Sequence, residues 1–150
     1  MSGVVSYELL SSKVPSDSGW TADGGLYITL INNTGTASVK GTVVSASTTI
    51  DNGVDIAPAD SDMPIGAIAE NGIANGSPVK VTVSGKAYVL IKDGLVSTRG
   101  YWCGMSDTAG RMYEAAVVPA ATNHFREIGH SLQSAAAGAS VLILIDMHFN

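Results

Sequence analysis

An internal repeat is the feature that most restricts how this chain can fold. Residues 76–83 (Gly-Ser-Pro-Val-Lys-Val-Thr-Val) have a counterpart in residues 138–145 (Gly-Ala-Ser-Val-Leu-Ile-Leu-Ile), 62 positions later. An Ile-Gly pair precedes each segment at an offset of 63 residues, and a basic residue followed by glycine precedes each pair at an offset of 59. These landmarks are Lys40-Gly41 with Arg99-Gly100, and Ile65-Gly66 with Ile128-Gly129. Two copies facing each other can bury both apolar faces in one core, which a single copy cannot do; the alternative is chance similarity between strands rich in glycine and valine.

Short segments with a β-type pattern recur along the chain. Val79, Val81 and Val83 alternate with Lys80 and Thr82, as expected of a half-buried strand. Similar segments follow every 8–15 residues with turn residues between them, which is typical of an all-β barrel or sandwich. The strand candidates are residues 26–31, 39–45, 79–84, 88–91, 100–105, 111–118 and 141–147, with a polar loop rich in aspartate after residue 45.

The sequence therefore predicts an all-β fold, a small β-barrel or sandwich built from two related β units. The length of 150 residues suits one domain and is short for two. We expect an extended N-terminal arm over residues 1–25 and a single β domain over residues 26–150. The internal repeat within that domain covers about residues 39–85 and 98–147.

The N-terminal arm carries apolar residues without a period that would fold them alone. Alternation over residues 5–9 is suited to adding a strand to the edge of a neighbouring sheet. We therefore predict that the arm contacts another protein chain, the alternative being a frayed terminus. The contact residues predicted in the arm are Val4, Val5, Tyr7, Leu9, Leu10 and Trp20.

The last strand candidate carries apolar residues on both faces. Val141, Ile143 and Ile145 are expected to point into the shared core together with Val79, Val81 and Val83. Leu142 and Leu144 then lie on the outer face, as Lys80 and Thr82 do in the first copy. An apolar outer face is unusual unless another chain covers it. We predict a homo-oligomer with Leu142 and Leu144 at the subunit contact.

The residues that carry chemistry do not form a convincing catalytic or metal site. Cys103 with His124 or His130 is a conceivable thiolate–imidazole pair, but its apolar strand segment favours a buried, inert thiol. The three histidines, which include His148, lack the spacing of metal ligands. Asp51, Asp55, Asp60 and Asp62 fall at irregular intervals without a closing glutamate, which favours a solvated acidic loop over a calcium site. We predict no enzyme activity, no catalytic residue, no cofactor and no metal.

Composition restricts the partners further. A net charge of −5 and a pI near 4.9 argue against a nucleic-acid partner held by a basic face. The longest apolar stretches, such as residues 141–145, are too short to cross a bilayer, so no membrane association is expected. No basic segment followed by an apolar run begins the sequence, so a classical secretory signal is not expected. A sugar-stacking platform made from the tryptophans and tyrosines stays open as an alternative.

One segment carries a family resemblance. Residues 64–85, which contain Pro-Ile-Gly-Ala-Ile-Ala-Glu and Gly-Ser-Pro-Val-Lys-Val-Thr-Val-Ser-Gly, resemble the capsid decoration (cement) proteins of tailed bacteriophages. These proteins commonly have an Ile-Gly-hydrophobic unit followed by Gly-x-x-Val-x-Val-x-Val-x-Gly, often with a C-terminal echo. Here the echo runs from Ile128-Gly129 to Ile145, so the resemblance covers roughly residues 37–147.

The resemblance implies a compact β domain without catalytic residues. Such a protein sits on the outer face of the assembled head, often as a trimer, and stabilises neighbouring major capsid subunits. The expected partners are therefore the major capsid protein and further copies of this chain. The expected location is the capsid exterior of the virion, and the host cytoplasm during assembly. A carbohydrate-binding or adhesin-like β module is the alternative function.

Overall fold

The computed structural model describes residues 17–117 and 119–145. Within these residues the chain is almost entirely β, which confirms the predicted all-β fold. A short 3₁₀ helix occupies Ala121–Arg126. The strands are β1 (Ser18–Trp20), β2 (Gly25–Asn32), β3 (Val43–Ala46), β4 (Gly53–Ile56), β5 (Gly66–Ile68), β6 (Pro78–Leu90), β7 (Trp102–Met105), β8 (Met112–Ala115), β9 (Glu127–Ser131) and β10 (Ser140–Ile145).

The first half of the chain forms a closed ring of five strands. The ring runs β2-β4-β3-β5-β6 and closes because β6 also pairs with β2. The β2–β4 contact is parallel, and the other contacts in the ring are antiparallel. We call this ring, which uses residues 78–84 of β6, the first unit. Closure leaves the ring without a free edge of its own.

The second half of the chain repeats this arrangement. Strands β10, β9, β7 and β8 follow one another from the C-terminal part of β6, all in antiparallel pairs. A parallel bridge between Ile91 and Met112 joins β8 to the end of β6. In addition, Lys92 N–H donates to the Met112 carbonyl at 2.9 Å. We call this arrangement, which uses residues 85–91, the second unit.

The strand register of the two units agrees pair by pair at the offsets found in the sequence. Val44 pairs with Gly66, and its counterpart Cys103 pairs with Gly129. Likewise Val79 pairs with Leu30, and its counterpart Val141 pairs with Val89. The correspondence extends beyond the expected bounds of the repeat, since residues 84–91 play the part in the second unit that residues 25–32 play in the first. Strand β6 is thus the last strand of one unit and the first strand of the next.

Close backbone approach explains the glycine of each Ile-Gly pair. A Cβ on Gly66 would overlap the carbonyl oxygen of Thr82, and a Cβ on Gly129 would overlap the carbonyl oxygen of Leu144. Thr82 and Leu144 are themselves counterparts in the repeat, 62 residues apart. The motif therefore marks the point where the strand crosses nearest to its neighbour, a position that only glycine can occupy without displacement.

The buried apolar residues form two clusters, so the expectation of one core shared by two facing copies is wrong. Val79 and Val81 are buried inside the first unit with residues from β3, β4 and β5. Val141, Ile143 and Ile145 are buried in a larger cluster that fills the second unit and also includes Val43, Ala57 and Ala67 of the first unit. Ring closure explains the division, since it separates the inward residues of the first unit from those of the second. Val83 is only partly buried, and Thr82, expected on the outer face, is buried.

Two further sequence expectations are corrected by the strand bounds. The candidates at residues 79–84 and 88–91 are one strand, β6, which passes Gly85 at a φ of +81°. The polar loop after residue 45 contains strand β4, whose Gly53 and Val54 are buried. Strand β1, which lies in the range expected for the N-terminal arm, pairs with β2 as a hairpin.

Candidate interaction surface

A row of five neighbouring residues crosses the outer face of the first unit and is buried. Residues that lie directly opposite in paired strands share one face of the sheet. Tyr27 pairs with Thr82, Thr82 with Ala67 and Ala67 with Val43, and Ala57 N–H donates to the Val43 carbonyl at 3.0 Å. We call these residues the first outer row. All five are buried.

The corresponding row on the second unit is not buried. Lys86 pairs with Leu144, Leu144 with His130, His130 with Trp102 and Trp102 with Ala115. We call these five residues the second outer row. Lys86 is exposed, Leu144 is 44% exposed, and the other three are half-buried. The same strand positions are therefore covered in one unit and open in the other.

A second line of residues enlarges the apolar part of the open face. Tyr88 pairs with Leu142, and Leu132 N–H donates to the Leu142 carbonyl at 2.9 Å. Tyr88 and Leu142 are half-buried, whereas Leu132 is 42% exposed. The counterpart line on the first unit is Thr29, Lys80 and Ala69. The second unit thus has large apolar side chains where the first unit has small or polar ones.

Three rings on this face, those of Trp102, His130 and Tyr88, have aromatic or cation–π contacts. The rings of Trp102 and His130 lie with their centroids 4.2 Å apart at an interplanar angle of 52°. The Lys40 ammonium lies 5.2 Å from the centroid of the Tyr88 ring, and Lys40 also pairs with Asp23 at 2.7 Å. Held side chains lose little entropy on binding, which suits them to a contact surface. We call the second outer row together with Tyr88, Leu142 and Leu132 the second-unit surface.

The structure brings some of the predicted contact residues together and leaves others undescribed. Leu142 and Leu144 both lie on the second-unit surface, although Leu142 is less exposed than expected. Trp20 is 76% exposed at the end of β1. Its register leads through Leu26 to Ser84, two residues before Lys86 on β6. The remaining arm residues, Val4, Val5, Tyr7, Leu9 and Leu10, lie outside the described residues.

Sequence reasoning missed the other members of this surface. Tyr88, Trp102, His130 and Leu132 come from three different strands or their ends, so no local pattern joins them. The repeat was the signal that could have found them. Once the two copies are aligned, each outward residue of one copy has a counterpart in the other. The comparison shows that the outward residues of the second copy are larger and more apolar than those of the first.

Backbone hydrogen bonds join residues 41–43 and 57–60 of the first unit to residues 90 and 106–110 of the second. We call this contact the seam, and it shows how part of the first outer row is covered. Val43 N–H donates to the Gly110 carbonyl, and Gly110 N–H donates to the Ala57 carbonyl, both at 2.9 Å. Leu90 N–H donates to the Gly41 carbonyl at 2.9 Å, and Asp60 N–H donates to the Ser106 carbonyl at 2.8 Å. Val43, Ala57 and Ala67 join the apolar cluster of the second unit. The second unit therefore covers Val43, Ala57 and Ala67 of the first outer row with its own core and its 106–111 turn.

Cys103 lies in an environment that opposes thiolate formation. The side chain is fully buried, and its Sγ lies 3.9 Å from Glu114 Oε1. Burial and, to a smaller extent, the nearby carboxylate of Glu114 raise the pKa of the Cys103 thiol far above its ordinary value. His130, one of its conceivable partners, contacts Trp102 on the outer face instead. The geometry supports the interpretation of Cys103 as an inert core residue.

Buried serines tie a loop to the sheet at the same place in each unit. Ser38 Oγ donates to the Glu70 carbonyl at 2.7 Å, and its counterpart Ser97 Oγ lies 3.0 Å from the Gln133 carbonyl. Ser97 also bonds to Ser131 and Glu114, and Glu114 Oε2 accepts from Thr98 N–H at 2.6 Å. These contacts satisfy buried polar groups. Their arrangement is that of structural clamps.

The acidic stretch meets a cationic side chain of the protein itself. Arg126 Nε donates to Asp62 at 2.9 Å, and its Nη1 donates to Asp60 at 3.2 Å. These contacts link the 3₁₀ helix to a loop more than 60 residues earlier. Among residues 17–117 and 119–145, no group of three or more His, Cys, Asp or Glu side chains is placed to hold a metal ion.

Comparisons with known proteins identify no relative. No protein-family model matches the chain, and no curated protein matches it. In the part of the chain that the structure describes, no helix has the length and apolarity needed to cross a membrane.

Proposed function

We propose that this chain is a structural virion protein that binds the outer surface of an assembled phage capsid and stabilises contacts between major capsid subunits. In this proposal the chain works as a homo-oligomer, specifically a trimer, and has no catalytic role. Its location is the capsid exterior, reached from the host cytoplasm during assembly. The phage assignment comes from the resemblance carried by residues 64–85.

The second-unit surface is the observation that carries the proposal. A contiguous outer face with Trp102, Tyr88, Leu142, Leu144 and Leu132 is unusual on a chain that works alone. Exposed apolar patches of this kind mark protein–protein contacts. The strands that carry this surface are paired with their neighbours in the sheet. We therefore expect the contact to be made by side chains on the sheet face and not by an unpaired strand edge. We assign this surface to the contact between subunits.

The contact with the capsid is assigned to the N-terminal region. Trp20 is the most exposed large apolar side chain among the described residues, and β1 is a three-residue edge strand paired only with β2. An edge strand can extend by pairing with another chain. Many copies on a symmetrical lattice need only modest affinity each, because several contacts in one oligomer act together.

Co-sedimentation with assembled heads tests the proposal. Purified full-length chain is mixed with heads of a candidate phage that lack decoration protein, and bound chain is quantified after centrifugation. We expect saturable binding at a fixed ratio to the major capsid protein and a higher temperature of head disruption. Trp20→Ser is expected to weaken binding, whereas Met63→Ser, another exposed apolar side chain on the 58–65 loop, is the control. Absence of saturable binding to any head tested would contradict the proposal.

A carbohydrate-binding module is the second candidate, because two aromatic rings lie on the same face. Trp102 and Tyr88 are half-buried on the second-unit surface, and sugar rings stack on aromatic faces of this kind. An oligosaccharide panel separates the two candidates. A ligand that raises the melting temperature and changes tryptophan fluorescence in wild type, but not in Trp102→Ala, would favour the carbohydrate function.

A further inference from the structure

The seam inside the chain provides a template for a second contact of the same kind. Three residues of the first outer row, Val43, Ala57 and Ala67, are covered by the unit that follows them in the chain. The second outer row occupies the same strand positions but has no following unit among the described residues. Its larger apolar side chains need the same kind of cover. A second copy of this chain can supply it with its own first unit.

The first unit has an open groove at the place that corresponds to the covering side of the seam. In the second unit, Ala87 and Val89 of β6 belong to the cluster that receives the first outer row. Their counterparts in the first unit are Ile28 and Leu30 of β2. Ile28 and Leu30 pair with β6 there as Ala87 and Val89 pair with β10 in the second unit. Both are half-buried and line a surface groove. The groove is completed by Asp17, Ser18, Thr29, Ile31, Asn52 and Pro78.

The turns at the two places also correspond. The 106–111 turn joins β7 to β8 and covers the first outer row. The 47–52 turn joins β3 to β4, the counterparts of those strands, and ends at Asn52 in the groove. Ile50 in this turn is 37% exposed. The chain therefore displays both halves of a seam, one on each unit.

We propose that copies of this chain associate head to tail, with the second-unit surface of one copy docked on the first-unit groove of the next. This inference deepens the proposed function, on which it rests for the assignment of that surface to a subunit contact. The contact joins two different surfaces, so it is heterologous. The in-chain seam and the contact between copies would then alternate around a closed ring, and a trimer would contain six units in that order.

Charge at the two surfaces is consistent with the docking. Lys86 is exposed at one end of the second outer row, and Asp17 is exposed at the rim of the groove. Opposite charges at a rim orient a contact more than they strengthen it. The apolar residues between them supply most of the affinity, in the way that central residues of an interface do.

Sedimentation equilibrium of the full chain, without heads, is the first test. We expect wild type to self-associate at micromolar concentration, and Leu144→Asp and Leu132→Asp each to weaken association by about tenfold or more. Met63→Asp is the matched control, an exposed apolar residue far along the chain from the docking face, and should leave association unchanged. Both test residues are exposed, and circular dichroism checks that each variant is folded. A monomeric wild type at high concentration would overturn the inference.

A mixing experiment tests whether the contact is head to tail. Pro78→Arg and Ser18→Arg alter exposed groove positions, and each should associate as weakly as Leu144→Asp. A mixture of Leu144→Asp with Pro78→Arg keeps one intact contact, because the first contributes a native groove and the second a native second-unit surface. We expect a one-to-one heterodimer from this mixture and none from either variant alone. If the groove variants associate like wild type, the contact is symmetrical and the inference is wrong.

The outcomes separate this inference from the proposed function. Self-association with the expected variant pattern, without binding to heads, supports the docking and contradicts the capsid function. Binding to heads by a chain that stays monomeric supports the capsid function and contradicts the docking. An oligosaccharide that occupies Trp102 in a chain that does not self-associate would overturn both.

Discussion

The two units of this chain have the same strand register and opposite outer faces. Val43 and Trp102 are counterparts, as are Ala67 and His130, yet the first member of each pair is buried and the second is not. The side chains follow this difference: small residues fit beneath a covering unit, and larger residues occur where no described element covers them. The same strand arrangement therefore occurs twice, and the different side chains on one face give the two units different contacts.

The largest effect is expected at the glycines that both units require. Gly129→Ala should prevent stable folding, because the added Cβ overlaps the Leu144 carbonyl and the residue has a φ of +151°. Gly66→Ala should also be severe, at roughly 3 kcal/mol or more, by the same overlap with Thr82. Urea denaturation measures both losses. Gly72→Ala is the control, since it has positive φ but open space around it, and should cost about 1 kcal/mol. Similar losses at all three positions would contradict the close-approach explanation.

Counterpart residues on the two outer rows should respond differently to the same charge. Ala67→Asp places a carboxylate in the covered seam and should cost about 3–5 kcal/mol. His130→Asp, on the open face, should change the stability of the monomer by less than about 1 kcal/mol. Chemical denaturation at low protein concentration compares them without the contribution of association. Equal losses would mean that the second outer row is covered within its own chain.

The buried serines allow a finer comparison. Removing the Ser38 hydroxyl leaves the Glu70 carbonyl without that donor, and removing the Ser97 hydroxyl breaks contacts with Glu114, Ser131 and Gln133. Ser38→Ala should cost about 1–2 kcal/mol and Ser97→Ala about 2–3 kcal/mol. Thermal denaturation of both variants is the measurement. A larger loss at Ser38 would show that the network around Ser97 adds little.

Cys103 and Val44 are counterparts, so valine should replace the cysteine with little loss. Cys103→Val should change stability by less than about 1.5 kcal/mol, because both side chains point into a ring of the same register. The native thiol should also resist iodoacetamide, since burial raises its pKa. Mass spectrometry of native and urea-unfolded protein measures this. Rapid modification of the native chain would reopen the nucleophile hypothesis.

The smallest effect is expected at an exposed ion pair on the seam turn. Lys92 pairs with Asp107 and lowers the pKa of that carboxyl group. A lowered folded-state pKa stabilises the fold above the unfolded value, and this contribution is lost as the pH falls through the lowered value. Asp107→Asn should therefore remove a small, salt-sensitive part of the stability near neutral pH and little at strongly acidic pH. Melting curves against pH at low and high salt would show it, and a larger loss in the variant at acidic pH would contradict it.

The sequence was sufficient for the fold class and the repeated segments, because alternation and turn residues are local signals. Ring closure could not be predicted, since the β2–β6 pairing joins residues about 50 apart in the sequence. Strand β4 was hidden because it is short and carries Asp55 among the polar residues of an acidic stretch. The reach of β6 past Gly85 was hidden by a glycine that ordinarily indicates a turn.

The candidate surface was predicted only at Leu142 and Leu144. Their alternation with buried residues in one strand is visible locally. Trp102 and Tyr88 join them through pairings with distant strands, and a tryptophan in an apolar segment ordinarily indicates a core residue. What distinguishes them is that no covering unit follows the second unit among residues 17–117 and 119–145, and this depends on how the units are arranged rather than on any one segment.

Strand β6 connects the first-unit groove to the second-unit surface and so sets the distance between them. Its 13 residues span about 43 Å at roughly 3.3 Å per residue, and both units are built on this one continuous backbone. Pro78 at its first residue borders the groove, and Lys86 and Tyr88 near its other end belong to the second-unit surface. The units share this strand and are joined again by the backbone hydrogen bonds of the seam, so their mutual orientation is set within one chain. Copies joined through these surfaces would inherit that fixed angle, and the curvature of the resulting assembly would be encoded in a single strand.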